Sequence, residues 1–284
     1  MSSVSEPHKP LLATAGTATR VLAIIGDPVS QAKSPQVFAD YFQRENIDAV
    51  LVPLHVRPPD LRRVIDSLHA IVNFAGLVIT IPHKPAACAL ADDIGPLAAA
   101  CGAANALVPL GDGRWQADMF DGVGLLKALK QRQVSIAGRK TLVVGAGGAG
   151  AAIVAALRTL GGVGPITIAD IDSVRARQLA ARFPGCVSGP ACVSGPADPA
   201  GFELVVNASP CGMASDECPL DSTRLSPDAI VCDAIMQPPH TRLLLEARQQ
   251  HNCTIVAGLE MLQGQVQALV DFFALPRRRE FCKA

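Results

Sequence analysis

Aromatic side chains are scarce: among 284 residues there are one Trp, one Tyr and nine Phe, 4% in all. The formal net charge is zero and no basic stripe runs along the chain. Without stacking rings or a positive face there is little to grip bases or a phosphodiester backbone, which argues against a nucleic-acid partner. No apolar run approaches the roughly 20 residues needed to cross a bilayer, so no membrane span is expected. The nine cysteines contain no CxxC pair and no His/Cys spacing suited to zinc. An odd, scattered set reads as reduced thiols in a cytoplasmic protein with no metal. Residues 1–19 lack a continuous apolar block and read as a flexible leader, not a signal peptide. The Arg277-Arg278-Arg279 cluster is short and at the tail, where solvation is expected.

Apolar side chains are plentiful, at 49% of the chain, and the length suffices for two modest domains. The most informative stretch is Leu142-Val-Val-Gly145-Ala146-Gly147-Gly148-Ala149-Gly150. A β-branched strand runs into a glycine turn, and an Ala-rich helix pattern follows from Ala149 to Leu160. A second short strand, Ile166–Asp170, then ends in an acid. That order is the dinucleotide-binding βαβ fingerprint. In this reading Gly145 permits the tight turn, Gly147 lets the backbone approach a pyrophosphate, and Gly150 lets helix and strand pack closely. The helix N-terminus supplies unpaired N–H groups and a positive dipole end, and Asp170 stands where a carboxylate would accept both hydroxyls of a ribose.

Strand and helix patterns alternate on both sides of this motif. Strands are expected at Arg20–Gly26, Ala49–Val56, Gly76–Ile81, Ala103–Pro109 and Trp115–Met119. A helix opens with Ser34 as N-cap and Pro35 in the first turn, with Val37, Phe38, Tyr41 and Phe42 on its apolar face. A second helix is expected at Pro59–Ala70, two short ones before residue 103, and another at Gly122–Arg132. Past Asp170, helices are expected at Val174–Phe183, Thr241–Gln250 and Leu259–Phe273, and strands at Leu204–Asn207, Ile230–Asp233 and Thr254–Val256. The tandem Cys186-Val-Ser-Gly-Pro-Ala and Cys192-Val-Ser-Gly-Pro-Ala reads as a duplicated surface loop. The fold class is therefore α/β with two domains: a mixed α/β substrate domain at 20–121 and a Rossmann dinucleotide domain at 122–257. The C-terminal helix, within 258–284, returns to the first domain.

Two ionisable residues outside the cofactor half invite a catalytic role. Lys84 follows a buried strand in Ile79-Thr80-Ile81-Pro82-His83-Lys84, and Asp121 sits at the hinge in Asp118-Met119-Phe120-Asp121-Gly122-Val123-Gly124. An exposed Lys after a turn and a helix-capping Asp are the plainer readings of the same residues.

From about residue 20 the chain resembles shikimate and quinate dehydrogenases. The pieces that carry the resemblance are Gly26-Asp-Pro-Val, Lys33-Ser34-Pro35, Thr80-Ile-Pro-His-Lys84, Gly102-Ala-Ala-Asn105 and Asp121-Gly-Val-Gly. The second half adds the glycine motif, Asn207-Ala-Ser-Pro-Cys-Gly-Met213, and Gly258-Leu-Glu-Met-Leu-Gln-Gly-Gln265. The resemblance implies hydride transfer between a nicotinamide and the ring hydroxyl or ketone of a cyclic hydroxy acid, in a cleft between two domains. It implies Lys84 and Asp121 as the catalytic couple, Thr80, Asn105 and Gln265 as partners of ring hydroxyls, and Ser34 as partner of the carboxylate. The dinucleotide would be held by Gly145, Ala146, Gly147, Gly148, Ala149, Gly150, Asp170, Asn207, Ala208 and Ser209, with Met213 and Gly258 lining the nicotinamide pocket.

The sequence departs from the family where polar groups face the substrate: Ala32 replaces a Ser, Val78 an Asn, and Met119-Phe120 an Asn-Thr. Each unpaired substrate group would cost on the order of 1–3 kcal/mol, so an altered substrate preference is expected. Asp170-Ile171-Asp172 stands where NADP-using relatives carry Asn-Arg-Thr. Two carboxylates repel a 2′-phosphate, so NAD is expected over NADP even with Arg175 and Arg177 nearby. The alternatives are a same-fold dehydrogenase for a less hydroxylated or aminated substrate, and a catalytically weak NAD sensor. A monomer or homodimer acting on a small molecule is expected.

Overall fold

The computed structural model describes residues 16–189 and 196–277. The leader through residue 15, most of the second repeat copy and the tail from Arg278 lie outside the described residues.

The chain forms two six-stranded sheets. The first is built from β1 (Arg20–Gly26), β2 (Ala49–His55), β3 (Phe74–Ile79), β4 (Asp93–Ile94), β5 (Ala106–Pro109) and β6 (Trp115–Asp118), in the order β2-β1-β3-β5-β6-β4. Its helices are α1 (Ser34–Arg44), α2 (Leu61–Leu68), α3 (Lys84–Leu90) and α4 (Pro96–Cys101). After Arg20 the strand β1 is apolar because both faces are covered, as in other helix-flanked parallel sheets. Leu22 and Ile24 pack with Phe38 and Phe42, whereas Ala23 and Ile25 join the cluster that holds Ile65. Parallel pairing of β1 with β2 and β3 gives way to antiparallel pairing of β3 with β5 and β5 with β6, so the sheet is mixed.

Helix α5 (Asp121–Gln131) leads into the second sheet, made of β7 (Thr141–Val144), β8 (Ile166–Ala169), β9 (Cys186–Ser188), β10 (Leu204–Asn207), β11 (Ile230–Asp233) and β12 (Thr254–Val256). All its pairings are parallel, in the order β12-β11-β10-β7-β8-β9. That is the doubly wound 3-2-1-4-5-6 arrangement, and it places the switch point between β7 and β10, where ligands of such sheets bind. Helices α6 (Gly148–Ala156), α7 (Ser173–Ala181) and α8 (Arg242–His251) serve this sheet. The closing helix α9 (Gly258–Phe272) returns to the first sheet: its Val266, Leu269 and Val270 share a core with Leu22 and Phe38.

The halves meet through glycines. A Cβ on Gly124 of α5 would stand 2.2 Å from the Met261 carbonyl of α9, and one on Gly122 would stand 2.3 Å from the Ala152 carbonyl of α6. These helices touch backbone to backbone, which makes their packing intolerant of added volume.

Most expected elements form within two residues of their expected bounds, although β5 starts three residues after the expected Ala103. Strand β3 begins and ends two residues before the expected Gly76–Ile81. It ends early because the His83 N–H donates to the Thr80 carbonyl (3.0 Å), closing a turn around Pro82, which has no N–H for a ladder. Helix α6 stops at Ala156 and widens to a π-turn over Leu157–Gly161. There the Thr159 hydroxyl donates to the Ala155 carbonyl (2.7 Å). The first repeat copy is not all loop: Cys186–Ser188 pairs as the edge strand β9.

Candidate active site

Two cavities, of about 480 and 1020 Å³, share Gly147, Ala208, Ser209 and Pro210 and so form one continuous cleft. The smaller runs from the first sheet, past Lys84 and Asp121, to the glycine turn. The larger continues along the tips of β7, β8 and β10 to Asp170 and Ile171.

Lys84 is the first residue of α3, with Pro85 behind it. A cation at the positive end of a helix is electrostatically unfavourable, so its position needs a counter-charge. Asp121 supplies it: Lys84 Nζ donates to Asp121 Oδ2, and the two side chains are 14% and 17% exposed. Asp121 in turn opens α5, where a carboxylate is favoured, and it makes no capping bond of its own. The expected couple is thus brought together from elements 37 residues apart.

Asn105 sets the other carboxylate oxygen. Its Nδ2 donates to Asp121 Oδ1 (2.7 Å) and to Gln265 Oε1 (2.9 Å), while its Oδ1 accepts from the Phe120 N–H (2.8 Å). Asn105 is 2% exposed and both its amide protons are used within the protein. It lines the cavity but acts first as the piece that fixes Asp121 and Gln265. With its carbonyl taken by Asn105, Gln265 is left with amide donors for the cavity.

Ser34 and Thr80 also line the smaller cavity. Ser34 is not the N-cap of α1: Lys33 holds that position and Ser34 is the first helical residue, with no side-chain cap bond. The local reason is Pro35, which fits the second helical position as well as the first. Among the substituted positions, Ala32 and Val78 line the cavity, and Ile24, which the sequence reading missed, adds to the same apolar wall. Met119 and Phe120 do not line it. Met119 is 1% exposed in the core, and the Phe120 ring packs on Phe272 at 5.2 Å between centroids. The expectation that these two face the substrate is corrected: Asp121 alone of this segment turns into the cleft.

At the glycine turn, Gly145 has φ +106°, and a Cβ there would lie 2.7 Å from the Ala208 carbonyl carbon. A Cβ on Gly150 would stand 1.9 Å from the Gly145 carbonyl oxygen, so helix and strand close only over glycine. At Gly147 and Gly148 a Cβ would meet nothing within 4 Å. These two, with Ala149, open the helix toward the smaller cavity and leave room for a phosphate group over unpaired helix N–H groups. Asp170 is 9% exposed and accepts from the Ala146 N–H (2.6 Å) and the Asp172 N–H (2.8 Å). Ala146 therefore serves the site through its N–H to Asp170. Asp172 caps α7, accepting from the Val174 and Arg175 N–H groups, and pairs with the Arg175 guanidinium at 3.4 Å.

Ala208, Ser209, Met213 and Gly258 line the smaller cavity. Asn207 does not: it is fully buried, its Nδ2 donates to Asp233 (3.1 Å), and its Oδ1 accepts from the Ser209 N–H (3.0 Å) and hydroxyl (2.7 Å). Met236 is a cavity residue that carried no signal in the sequence, and Leu262, within the Gly258–Gln265 stretch, was not singled out there. Among the described residues no group of three His, Cys, Asp or Glu side chains could hold a metal, and no helix is long and apolar enough to cross a membrane.

Residues 24–107 match the family model of the shikimate dehydrogenase substrate binding domain. Over 256 residues the chain is 37% identical to the shikimate dehydrogenase (NADP(+)) of Symbiobacterium thermophilum, covering 87% of this chain and 86% of that protein. Among solved structures, the ligand-free 5-ketofructose reductase of a Gluconobacter strain aligns with TM-score 0.80 at 27% identity, covering 91% of this chain and 94% of that one. The quinate dehydrogenase of Corynebacterium glutamicum, in complex with NAD, aligns with TM-score 0.79 at 26% identity, covering 90% and 93%.

Proposed function

Because the chain belongs to the shikimate dehydrogenase family, we propose that Lys84 and Asp121 move the hydroxyl proton while hydride passes between a nicotinamide and the ring carbon that bears that hydroxyl in a shikimate- or quinate-like acid. The enzyme is a nicotinamide-dependent oxidoreductase acting on a CH–OH group. The observation that carries the proposal is the Lys84–Asp121 pair in the cleft that also holds the glycine turn. When bound, the dinucleotide supplies the hydride acceptor. Gly147, Gly148 and Ala149 fit its pyrophosphate. Lys84 Nζ donates to the reacting oxygen and polarises it, and Asp121 balances the ammonium charge and takes part in the proton relay. Ser34, Thr80 and Gln265 pair with the other substrate oxygens.

NAD is the preferred dinucleotide in this proposal. The Symbiobacterium relative is named for NADP(+) and the Corynebacterium structure holds NAD, so the choice is argued from local charge. Asp170 follows β8 and accepts from backbone N–H groups, and Asp172 pairs with Arg175, so the trio sets two carboxyl groups against one guanidinium. Bringing a phosphate dianion against that charge costs on the order of several kcal/mol.

Substrate choice is shifted by the apolar wall of Ile24, Ala32 and Val78, which offers no hydrogen bond to a ring hydroxyl. A less hydroxylated ring suits it better than shikimate, and the Gluconobacter neighbour is named for a different reaction. A pure NAD sensor has no need of Lys84, Asp121, Asn105 and Gln265 joined in one cleft. Residues 20–121 with α9 act as the substrate unit and 122–257 as the dinucleotide unit, closing about the α5–α9 contact. The seven described cysteines are free thiols, which suits a reducing cytoplasm. Initial rates on shikimate, quinate and deoxy analogues, with each dinucleotide at equal concentration, test the reading. Ordinary efficiency on shikimate sinks the altered-substrate part, and a clear NADP preference sinks the cofactor part.

A further inference from the structure

Asp233 ends β11 and is fully buried, yet the mechanism does not use it. In the parallel pairing of β10 with β11 it stands beside Asn207. Its Oδ1 accepts from Asn207 Nδ2 (3.1 Å) and the Ile235 N–H (3.0 Å), and its Oδ2 accepts from the Thr241 hydroxyl (2.7 Å). Thr241 occupies the N-cap position of α8 but makes no capping bond; its hydroxyl instead donates to Asp233. Asn207 carries the connection onward through its Oδ1 to the Ser209 N–H and hydroxyl. One carboxylate thereby ties the turn after β10 to the turn after β11. Both turns line the smaller cavity, through Ser209, Pro210 and Met213 on one and Ile235 and Met236 on the other. Gly258 closes the arrangement from α9, since a Cβ there would stand 2.5 Å from the Ile235 carbonyl oxygen.

We propose that Asp233, acting through Asn207 and Thr241, is a positioning residue that holds the two turns where they seat the nicotinamide end of the dinucleotide. The proposal rests on the dinucleotide site described above. Burial pushes the Asp233 carboxyl up to about 6, although three neutral donors pull the other way. At neutral pH it is a buried anion with no cation among its hydrogen-bond partners, a local cost of the kind proteins retain at functional sites.

The test is direct titration of the reduced dinucleotide by its fluorescence, without substrate, so that turnover plays no part. Asp233→Ala should raise the dinucleotide Kd about tenfold or more, and Thr241→Val, a milder change, about threefold. Asp233→Asn keeps an acceptor for Asn207 and Ile235 and can turn the Thr241 bond round, so it should return Kd to within about twofold of wild type. The KM for the ring substrate should hold in all three, because Lys84, Asp121, Asn105 and Gln265 lie on other elements. A folded Asp233→Ala with unchanged Kd overturns the proposal. If that variant does not fold, unchanged binding in Thr241→Val overturns it instead. Equal rises in dinucleotide Kd and substrate KM would mark a general loosening and also count against it. A wild-type protein that binds no reduced dinucleotide would defeat the functional reading itself.

Discussion

Replacing Lys84 with Ala removes the one ammonium that Asp121 holds in the cleft. As the ring carbon loses hydride, its hydroxyl must lose a proton, and general acid–base groups contribute about 10²–10⁴ in rate. A loss of about 10³ in kcat, roughly 4 kcal/mol of transition-state stabilisation, is therefore expected. Stability should change little. The pair is partly exposed and Asp121 keeps its bond to Asn105 (2.7 Å), so about 1 kcal/mol is the expected scale. Dinucleotide affinity should stay within about twofold, because the glycine turn and Asp170 belong to the other sheet. The assay is initial rate by dinucleotide absorbance, paired with a substrate-free dinucleotide titration and a melting curve. A variant that keeps kcat within tenfold of wild type while folded would refute the catalytic assignment. A parallel collapse of dinucleotide binding would show that Lys84 supports the cleft instead of the chemistry.

Other expected outcomes follow from the same geometry. The triple change Asp170→Asn, Ile171→Arg and Asp172→Thr removes two carboxylates, adds a cation and keeps a capping residue for α7. It should move the NADP-to-NAD efficiency ratio by about a hundredfold toward NADP. Ala32→Ser with Val78→Asn puts hydrogen-bonding groups on the cavity wall and should lower the KM for shikimate about tenfold, with quinate as the comparison. The raised Asp233 carboxyl favours the protonated form in the folded state, so its contribution to stability is lost as pH rises from about 4 through about 6. With an ordinary carboxyl value of 3.8 and a folded value near 6, that loss is roughly 3 kcal/mol. Asp233→Asn should remove this slope. Denaturant unfolding of both proteins at acid and neutral pH checks it, and identical pH dependence would contradict it.

The strands were legible where burial leaves no alternative. Arg20–Gly26 reads as β1 because both its faces are covered, and the acid after Ile166–Ala169 reads as a ribose partner because strand and glycine turn precede it. Direction was harder to read than position. Met119, Phe120 and Asp121 are consecutive, yet one enters the core, one packs on Phe272 and one turns to Lys84. A resemblance aligns such residues without saying where each points. Ser34 misled because serine suits an N-cap and a ligand contact alike. Asn207 was identified as a ligand residue but is buried beneath the cleft, where strand register sets it beside Asp233. Links across 26 and 8 residues leave no periodic trace in the sequence.

The most direct test of the account is isotopic. Quinate, shikimate and their deoxy analogues, deuterated at the ring carbon that bears the reacting hydroxyl, are incubated with NAD and the wild-type protein. The reduced dinucleotide is then read by mass spectrometry. The account predicts deuterium in the dinucleotide with at least one of these substrates, and about a thousandfold slower transfer with Lys84→Ala. No deuterium transfer from any ring hydroxy acid to either dinucleotide, or unchanged transfer with Lys84→Ala, would contradict it.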